Sequence, residues 1–241
     1  MTSDAPSRPA PAPLLRAEWL GRIGYDEGWS RQRALFAERV EGRIPDTLLL
    51  LEHPPTYTLG RRSVREDLVY DETQRSALGI EVFEVDRGGR ATCHAPGQLV
   101  GYLIVALGQR YDVLGYLRRI EQAIILTAAD LGVTATTDPE HTGVWVGRTK
   151  LCAIGVKVTR GVTMHGFALN VTTDLEYFEG IVPCGIADRG VTSIAAQTGT
   201  PYDLADVAAL AARRLATVLG RRLEWAGAEG PAERADALVA H

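Results

Sequence analysis

The chain of 241 residues is long enough to build a hydrophobic core without disulfide bonds, since chains of this size bury roughly 70–75% of their extended surface. Its composition, 46% hydrophobic and 23% charged residues, excludes a collagenous or an intrinsically disordered protein. The formal net charge of −4 argues against a protein whose main task is to bind nucleic acid. No apolar stretch approaches the roughly 18–20 residues of a membrane span, and the N-terminus lacks the apolar region of a secretory signal.

The cysteines and histidines predict neither a disulfide framework nor a metal site. Cys93, Cys152 and Cys184 are odd in number and form no Cys-x-x-Cys pair, which is typical of a cytoplasmic protein. The five histidines lack the i, i+4 spacing that places two ligands on one helix face. No ligand spacing supports a metal held by His94, His165 and Cys184. We therefore expect no metal and no cofactor.

One domain is expected, over residues 15–225. Residues 1–14 are rich in proline and predict a disordered leader, and residues 226–241 predict a loose tail of Ala, Gly and Glu. No linker and no internal repeat interrupts the region between them.

Strands and helices alternate irregularly along this domain, which predicts a mixed α/β or α+β fold. Helices are predicted from apolar residues at helical spacing and from Asp112 and Asp203 as N-caps, and short turns at Gly147 and Gly161 favour antiparallel strands. In chain order we expect a helix from Tyr25, a strand at 46–52, a loop at 56–67, a strand at 80–85, a turn at 86–90, a strand at 99–107, a helix at 113–131, strands at 143–146, 150–158 and 163–171, and a helix from Asp203.

The segment 86–98 is dense in glycine and in hydrogen-bond donors. Gly88 and Gly89 permit positive φ and let backbone N–H groups approach a ligand closely. Arg87, Arg90 and His94 add side-chain donors around that backbone. The same residues are also compatible with a tight hairpin that has an exposed basic rim, so the pattern by itself leaves both interpretations open.

Lysine is rare in this chain, because 24 of the 26 basic residues are arginine and only Lys150 and Lys157 are lysine. Lysine can lose its proton when it is desolvated, whereas arginine effectively cannot, so one of the two is a candidate catalytic base. Strand alternation places Lys150 and Cys152 on one face and Lys157 on the other, unless a bulge intervenes. An ordinary solvated charge is the alternative interpretation for each lysine.

Cys184 lies between Pro183 and Gly185, in a constrained turn and not inside a packed strand. A thiol with an ordinary pKa near 8.5 needs a nearby base or cation to act as a nucleophile at neutral pH, and Lys150 could be that base. Cys152 is the competing nucleophile, because it shares the predicted face of Lys150. Cys93 and Cys152 both lie in strand-like sequence, where a free cysteine is most often a small buried hydrophobe.

A series of ordered motifs between about Tyr25 and Ser193 resembles the lipoyl(octanoyl) transferase family. The series is Leu-Glu-His53-Pro, Gly60-Arg61, Asp-Arg-Gly-Gly-x-x-Thr-x-His94-x-Pro-Gly-Gln98, Gly143-Val-Trp145, Lys150-x-x-Ala-Ile-Gly155, His165-Gly-Phe-Ala-Leu-Asn170 and Ile-Val-Pro-Cys184-Gly-Ile. No single motif is decisive, but the series in this order is highly specific. The resemblance implies an α+β, biotin/lipoate protein ligase-like catalytic domain with a mixed, largely antiparallel sheet and flanking helices.

The resemblance also implies an acyltransferase that performs the first step of protein lipoylation. Cys184 would be the nucleophile and Lys150 its base, while Lys157 would be an ordinary surface charge. Octanoyl-acyl carrier protein would be the donor, lipoyl domains of 2-oxoacid dehydrogenases and the glycine cleavage H protein the acceptors, and the enzyme a monomer. The implied substrate-binding residues are Arg87, Gly88, Gly89, Arg90, Ala91, Thr92, Cys93, His94, Ala153, Ile154, Gly155, Gly166, Phe167 and Ala168.

Other functions remain open at this stage. They are an ATP-dependent lipoate or biotin protein ligase on the same fold, a cysteine thioesterase that uses water as the acceptor, and a non-catalytic acyl or carrier-protein binding module. The basic residues Arg61, Arg62 and Arg65 either meet an acidic carrier protein or form a solvated loop.

Overall fold

The computed structural model of the protein describes residues 11–182 and 189–226. The strands are β1 (Leu14–Arg22), β2 (Asp46–Glu52), β3 (Thr56–Leu59), β4 (Glu81–Glu84), β5 (Ala91–His94), β6 (Gln98–Ile104), β7 (Thr136–Thr137), β8 (Val144–Val146), β9 (Thr149–Thr159), β10 (Val162–Asn170) and β11 (Arg222–Trp225). The α-helices are α1 (Tyr25–Val40), α2 (Glu72–Ala77), α3 (Val113–Asp130), α4 (Ile194–Thr198) and α5 (Leu204–Leu219), and short 3₁₀ turns cover Arg65–Asp67 and Leu175–Gly180.

The strands form one large sheet and one small sheet. The large sheet has the order β11-β1-β2-β6-β10-β9-β8-β7, with parallel pairs on both sides of β1 and antiparallel pairs from β2 onward. The small sheet has the order β4-β3-β5, in which β3 pairs parallel with β4 and antiparallel with β5. The predicted mixed, largely antiparallel sheet is therefore confirmed.

Helices cover both faces of the large sheet, which explains the unbroken leucine run of β2. Leu48 and Leu50 belong to the core under α3 and α5, whereas Leu49 and Leu51 belong to the core under α1. A strand that is buried on both faces is apolar throughout and does not alternate. Within the described ranges, no helix has the length and apolar character needed to cross a membrane.

The predicted helix ends are confirmed by capping contacts. Asp112 accepts a hydrogen bond from the Gly115 N–H at 2.9 Å and begins α3. Asp203 accepts from the N–H groups of Ala205 and Asp206 at the start of α5. Both carboxylates satisfy donors that a helix leaves unpaired in its first turn.

The prediction of a loop at residues 56–67 is wrong, because the first four of these residues form β3, the central strand of the small sheet. Its neighbours β4 and β5 lie more than twenty residues further along the chain, so local turn signals could not reveal the pairing. β1, β5, β7, β11, α2 and α4 are also missing from the predicted elements. β1 and β11 pair across the two ends of the described chain, which no local pattern indicates.

Candidate active site

The glycine-rich turn at 86–90 lies over β9 and β10 and forms a cleft between the large sheet and the small sheet. Most of the predicted substrate-binding residues converge there. The residues that line the cleft are Tyr25, Arg87, Gly88, Gly89, Arg90, Thr92, His94, Tyr102, Ala153, Ile154, Gly155, His165, Gly166, Phe167 and Ala168.

Two of the predicted residues, Ala91 and Cys93, do not reach this cleft. Alternation along β5 places both side chains in the apolar core of the small sheet, with Tyr57 and Phe178, and both are fully buried. Burial raises the pKa of the Cys93 thiol well above its ordinary value, which keeps the thiol protonated. Cys93 is therefore a packing residue, as its strand-like surroundings in the sequence indicated.

Small residues of β9 and β10 form the floor of the cleft. Ala153 pairs directly with Ala168, and Gly155 pairs with Gly166. A Cβ atom added at Gly155 would lie 3.1 Å from the carbonyl oxygen of Gly88, so the missing side chain lets the turn approach the strand. The floor therefore offers space for a narrow, apolar ligand.

Arg87 holds the turn through its own guanidinium. It donates to the Thr58 carbonyl and hydroxyl at 2.8 Å and to the carbonyl oxygens of Gly88 and Arg90 at 3.0 and 2.8 Å. Gly60 leaves the necessary room, because a Cβ there would lie 2.7 Å from Nη1 of Arg87. Arg87 thus shapes the backbone of the cleft.

A second set of contacts anchors the start of the same turn. The Asp86 carboxylate accepts from His165 Nε2 at 2.7 Å and from Lys157 Nζ at 2.6 Å. These partners hold the pKa of Asp86 well below its ordinary value, and burial lowers the pKa of His165. Lys157 is therefore not the ordinary surface charge expected from the sequence, since it ties β9 to the turn.

His165 occupies an unusual backbone conformation within β10, with φ of 59°. Its N–H donates to Gln32 Oε1 on α1 at 2.8 Å, and Gln32 is fully buried. Non-glycine residues adopt positive φ rarely, and an external hydrogen bond compensates the cost here. The helix and the strand together orient the imidazole towards Asp86.

His94 is part of a buried polar chain. Its Nδ1 contacts Gln98 Oε1 at 2.8 Å, and Gln98 Nε2 donates to the Cys93 carbonyl and to Asn170 Oδ1. The Gln98 amide nitrogen donates to two oxygen acceptors, so the Gln98 amide oxygen accepts from His94 Nδ1–H. His94 Nε2 is then the nitrogen of the imidazole that can accept a hydrogen bond. Burial lowers the pKa of His94 well below its ordinary value, so the ring is neutral.

Lys150 lines a small cavity next to the cleft, together with Ala153 and Ala168 of the cleft floor, and only 6% of its surface is exposed. The register shifts between β8 and β9, where Val144 pairs with Cys152 but Trp145 pairs with Lys150. Leu151 is thus an extra residue, and Lys150 and Cys152 lie on opposite faces. The expectation that these two residues share a face is wrong.

The shift places Cys152 away from the candidate base. Its fully buried side chain packs under α3 and α5, and burial raises the pKa of its thiol far above the ordinary value. Lys150 Nζ instead lies 4.6 Å from the centroid of the Trp145 ring, on the other face. Cys152 therefore has neither the position nor the ionisation state of a nucleophile.

The predicted nucleophile, Cys184, lies outside the described residues, but both ends of its segment adjoin the cleft. On one side, Val182 N–H donates to the Asp67 carbonyl at 2.9 Å. On the other side, Lys150 N–H donates to the Gly190 carbonyl at 2.9 Å, and the Lys150 carbonyl accepts from Thr192 N–H at 2.9 Å. The chain therefore leaves the described structure beside Asp67, which pairs with Arg90 of the turn, and re-enters it beside Lys150.

Three cleft residues were not predicted as site residues, namely Tyr25, Tyr102 and His165. The motif that contains His165 could have identified it as a site residue. The sequence around Tyr25 and Tyr102 shows only the spacing of a helix and a strand, which does not indicate a site. In the described part of the chain, no group of three or more His, Cys, Asp or Glu side chains could hold a metal ion.

Comparison with known proteins places this arrangement among lipoate-related enzymes. Residues 24–216 match the lipoyl protein ligase A/B catalytic domain. An octanoyltransferase of Acidothermus cellulolyticus is 48% identical over 211 residues, which cover 86% of this chain and 92% of that protein. An octanoyltransferase of Chloroflexus aggregans is 51% identical over 193 residues, which cover 78% of this chain and 87% of that protein.

Solved structures show the same fold at low sequence identity. A bipartite lipoate protein ligase from Thermoplasma acidophilum has a TM-score of 0.68 and 19% identity, and covers 94% of this chain and 92% of its own. A biotin protein ligase from Aquifex aeolicus has a TM-score of 0.50 and 13% identity, over 85% and 70% of the two chains. The expected ligase-like fold is confirmed.

Proposed function

Because this chain belongs to the octanoyltransferases of the lipoyl protein ligase A/B catalytic domain family, we propose that it transfers an octanoyl group from acyl carrier protein to a lipoyl-domain lysine through an acyl-Cys184 thioester. Membership of the family makes the chain an acyltransferase. The donor, the acceptor and the thioester are the parts that the proposal adds.

The position of Lys150 supports the proposal most directly. This buried lysine lies where the small-residue floor of the cleft meets the chain end that follows residues 183–188. Cys184 follows Val182 by two residues, so covalent geometry keeps their Cα atoms within about 7 Å of each other. The short link between Cys184 and the chain end at Val182 supports the assignment of Cys184 as the partner of Lys150.

The first half of the reaction loads the enzyme. The Lys150 amine takes the Cys184 proton, and the thiolate attacks the carbonyl carbon of the octanoyl thioester. The bond to the carrier sulfur breaks, and that sulfur receives the proton from Lys150. The products are octanoyl-Cys184 and the free thiol of the carrier.

The second half of the reaction transfers the octanoyl group from Cys184 to the acceptor. Lys150 takes a proton from the attacking amine of the acceptor lysine, which forms an amide with the octanoyl carbonyl. The Cys184 sulfur leaves and recovers its proton. The cleft holds the acyl chain during both halves, since each buried methylene contributes about 0.8 kcal/mol.

Arg61, Arg62 and Arg65 form an exposed basic patch beside the cleft, which we assign to the carrier protein. Arg61 and Arg65 line a groove of about 520 Å³ together with Val64. Because the whole chain carries a net charge of −4, an acidic partner is attracted only by a local patch of this kind.

Intact mass after mixing with octanoyl-acyl carrier protein tests the proposal. We expect the protein to gain one octanoyl group, and Cys184→Ala to gain none. Cys93→Ala is the matched control, because it removes a thiol from a site that does not reach the cleft, and it should still be acylated. Equal acylation of the Cys184→Ala protein would overturn the assignment.

A second stage separates the rival functions. Addition of a lipoyl domain to the acyl-enzyme should move the octanoyl group to a lysine of that domain. Rapid hydrolysis of the acyl group in the absence of a lipoyl domain would indicate a thioesterase. Retention of the acyl group in the presence of a lipoyl domain would indicate a binding module. Formation of octanoyl-adenylate from free octanoate and ATP would indicate a ligase.

A further inference from the structure

We propose that the rings of Tyr25 and Tyr102 close the inner end of the cleft and thereby set the length of the acyl chain that the enzyme transfers. The inference rests on the proposed function, because Lys150 marks the reacting end of the chain. Both rings line the cleft, and neither was identified as a site residue from the sequence.

The strand register gives the distance between Lys150 and the closed end of the cleft. Tyr102 on β6 pairs with Gly166, and Gly166 pairs with Gly155 on β9. Lys150 precedes Gly155 by five residues, one of which is the extra residue of the register shift. Four strand steps of about 3.3 Å along the sheet and two strand spacings of about 4.8 Å across it place the Cα atom of Tyr102 about 16 Å from that of Lys150.

An octanoyl chain matches this distance. Its seven carbon–carbon bonds span about 9 Å when extended, at roughly 1.3 Å of projected length per bond. The remaining distance of about 7 Å is taken up by the reacting sulfur and the Lys150 side chain at one end and by the tyrosine side chain at the other. A chain with two or more additional methylenes would reach the tyrosine rings.

Buried contacts hold the closing rings in place. The Tyr102 hydroxyl lies 2.7 Å from His53 Nε2, and His53 Nδ1 lies 2.8 Å from the Ile23 carbonyl. Burial lowers the pKa of His53 to about 4, so the ring is neutral, donates from Nδ1 and accepts from Tyr102 at Nε2. This contact also gives the histidine of the Leu-Glu-His-Pro motif a role.

Tyr25 is equally constrained. It is the first residue of α1 and only 1% exposed. Its ring centroid lies 5.0 Å from that of His53, 5.0 Å from that of Phe83 and 5.8 Å from that of His94, against which it stacks. A longer acyl chain can therefore enter only by displacing an aromatic cluster and its hydrogen bonds, which protein interiors resist.

The test is the chain-length profile of acyl transfer, measured as kcat/KM with hexanoyl, octanoyl, decanoyl and dodecanoyl carrier thioesters. We expect the wild-type profile to peak at octanoyl. Tyr25→Leu should move the peak towards decanoyl, with a gain of about fourfold for each additional methylene that finds space. Tyr25→Phe keeps the ring and should keep the peak.

Phe36→Leu is the matched control, because Phe36 lies three turns further along α1 and does not line the cleft. Its profile should follow the wild type. If Tyr25→Leu does not fold, Tyr25→Met carries the test, since a flexible thioether fills space but can be displaced. Folding of each variant is checked by circular dichroism before its kinetics are measured.

Two results would overturn the inference: an unchanged peak in a folded Tyr25→Leu or Tyr25→Met protein, or the same shift in Phe36→Leu. Failure of the proposed function would look different. In that case, the wild-type protein would transfer none of the four acyl groups.

Discussion

Lys150 Nζ lies 4.6 Å from the centroid of the Trp145 ring, and the two residues pair directly across β8 and β9. The indole is 2% exposed, and its Nε1–H donates to the His141 carbonyl at 3.2 Å. The Arg189 guanidinium lies 5.1 Å from the same ring. The ring thus fixes the position of the Lys150 side chain, and this gives the Gly143-Val-Trp145 motif a physical purpose.

Replacement of Trp145 by leucine should slow acyl loading of the enzyme. A buried cation–π contact contributes about 1–2 kcal/mol, so its loss predicts a decrease of roughly tenfold in the single-turnover rate. Trp145→Phe keeps an aromatic face and should decrease the rate less. Rapid-quench measurement of acyl-enzyme formation tests both, and a leucine variant that loads at the wild-type rate would contradict this role for the ring.

The two lysines should respond differently to the same substitution. Lys150→Arg keeps the charge but removes the neutral form that a base requires, so transfer should fall by at least about a hundredfold. Lys157→Arg can still pair with Asp86 and should retain most of the activity. Steady-state transfer to a lipoyl domain distinguishes them, and high turnover by Lys150→Arg would mean that the residue supplies only charge.

Arg87→Lys should weaken substrate binding more than it slows the chemical step. A lysine cannot reproduce the planar set of hydrogen bonds to Thr58, Gly88 and Arg90. The turn over the cleft should then loosen, and we expect KM for the octanoyl donor to rise roughly tenfold, which corresponds to the loss of about 1–2 kcal/mol of hydrogen bonding. An unchanged KM would show that the turn keeps its shape without these bonds.

Acid should destabilise the protein through its buried histidines. His53 protonates near its ordinary value of 6.5 in the unfolded chain but only at about 4 in the folded protein. The unfolded state therefore binds more protons than the folded state between these pH values. The free energy of unfolding is highest above pH 6.5 and decreases as the pH falls towards 4. These values predict a loss of about 2 kcal/mol in the free energy of unfolding between pH 7 and pH 5.

Urea unfolding at several pH values measures this dependence. His94 and His165 have pKa values lowered by burial, and both add to the loss in the same direction. A His53→Gln variant lacks one titrating group and should show a smaller decrease across this range. Parallel curves for the variant and the wild type would rule out His53 as a contributor.

Several parts of the fold could be read from local sequence. The four leucines of β2, the caps Asp112 and Asp203 and the paired strands β9 and β10 all depend on neighbours a few residues away. Most cleft-lining residues were also found, because motifs of glycine, arginine and histidine mark places where backbone and ligand come close.

The sequence by itself determined the class of fold, the family resemblance and the importance of a rare lysine among many arginines. Only the tertiary structure decided which groups face each other. One extra residue, Leu151, reverses the face of Lys150 relative to Cys152, because side chains alternate with a period of two and no spacing rule reveals a bulge. Lys157 likewise pairs with Asp86, which lies seventy-one positions earlier in the chain, so only folding brings the two residues together.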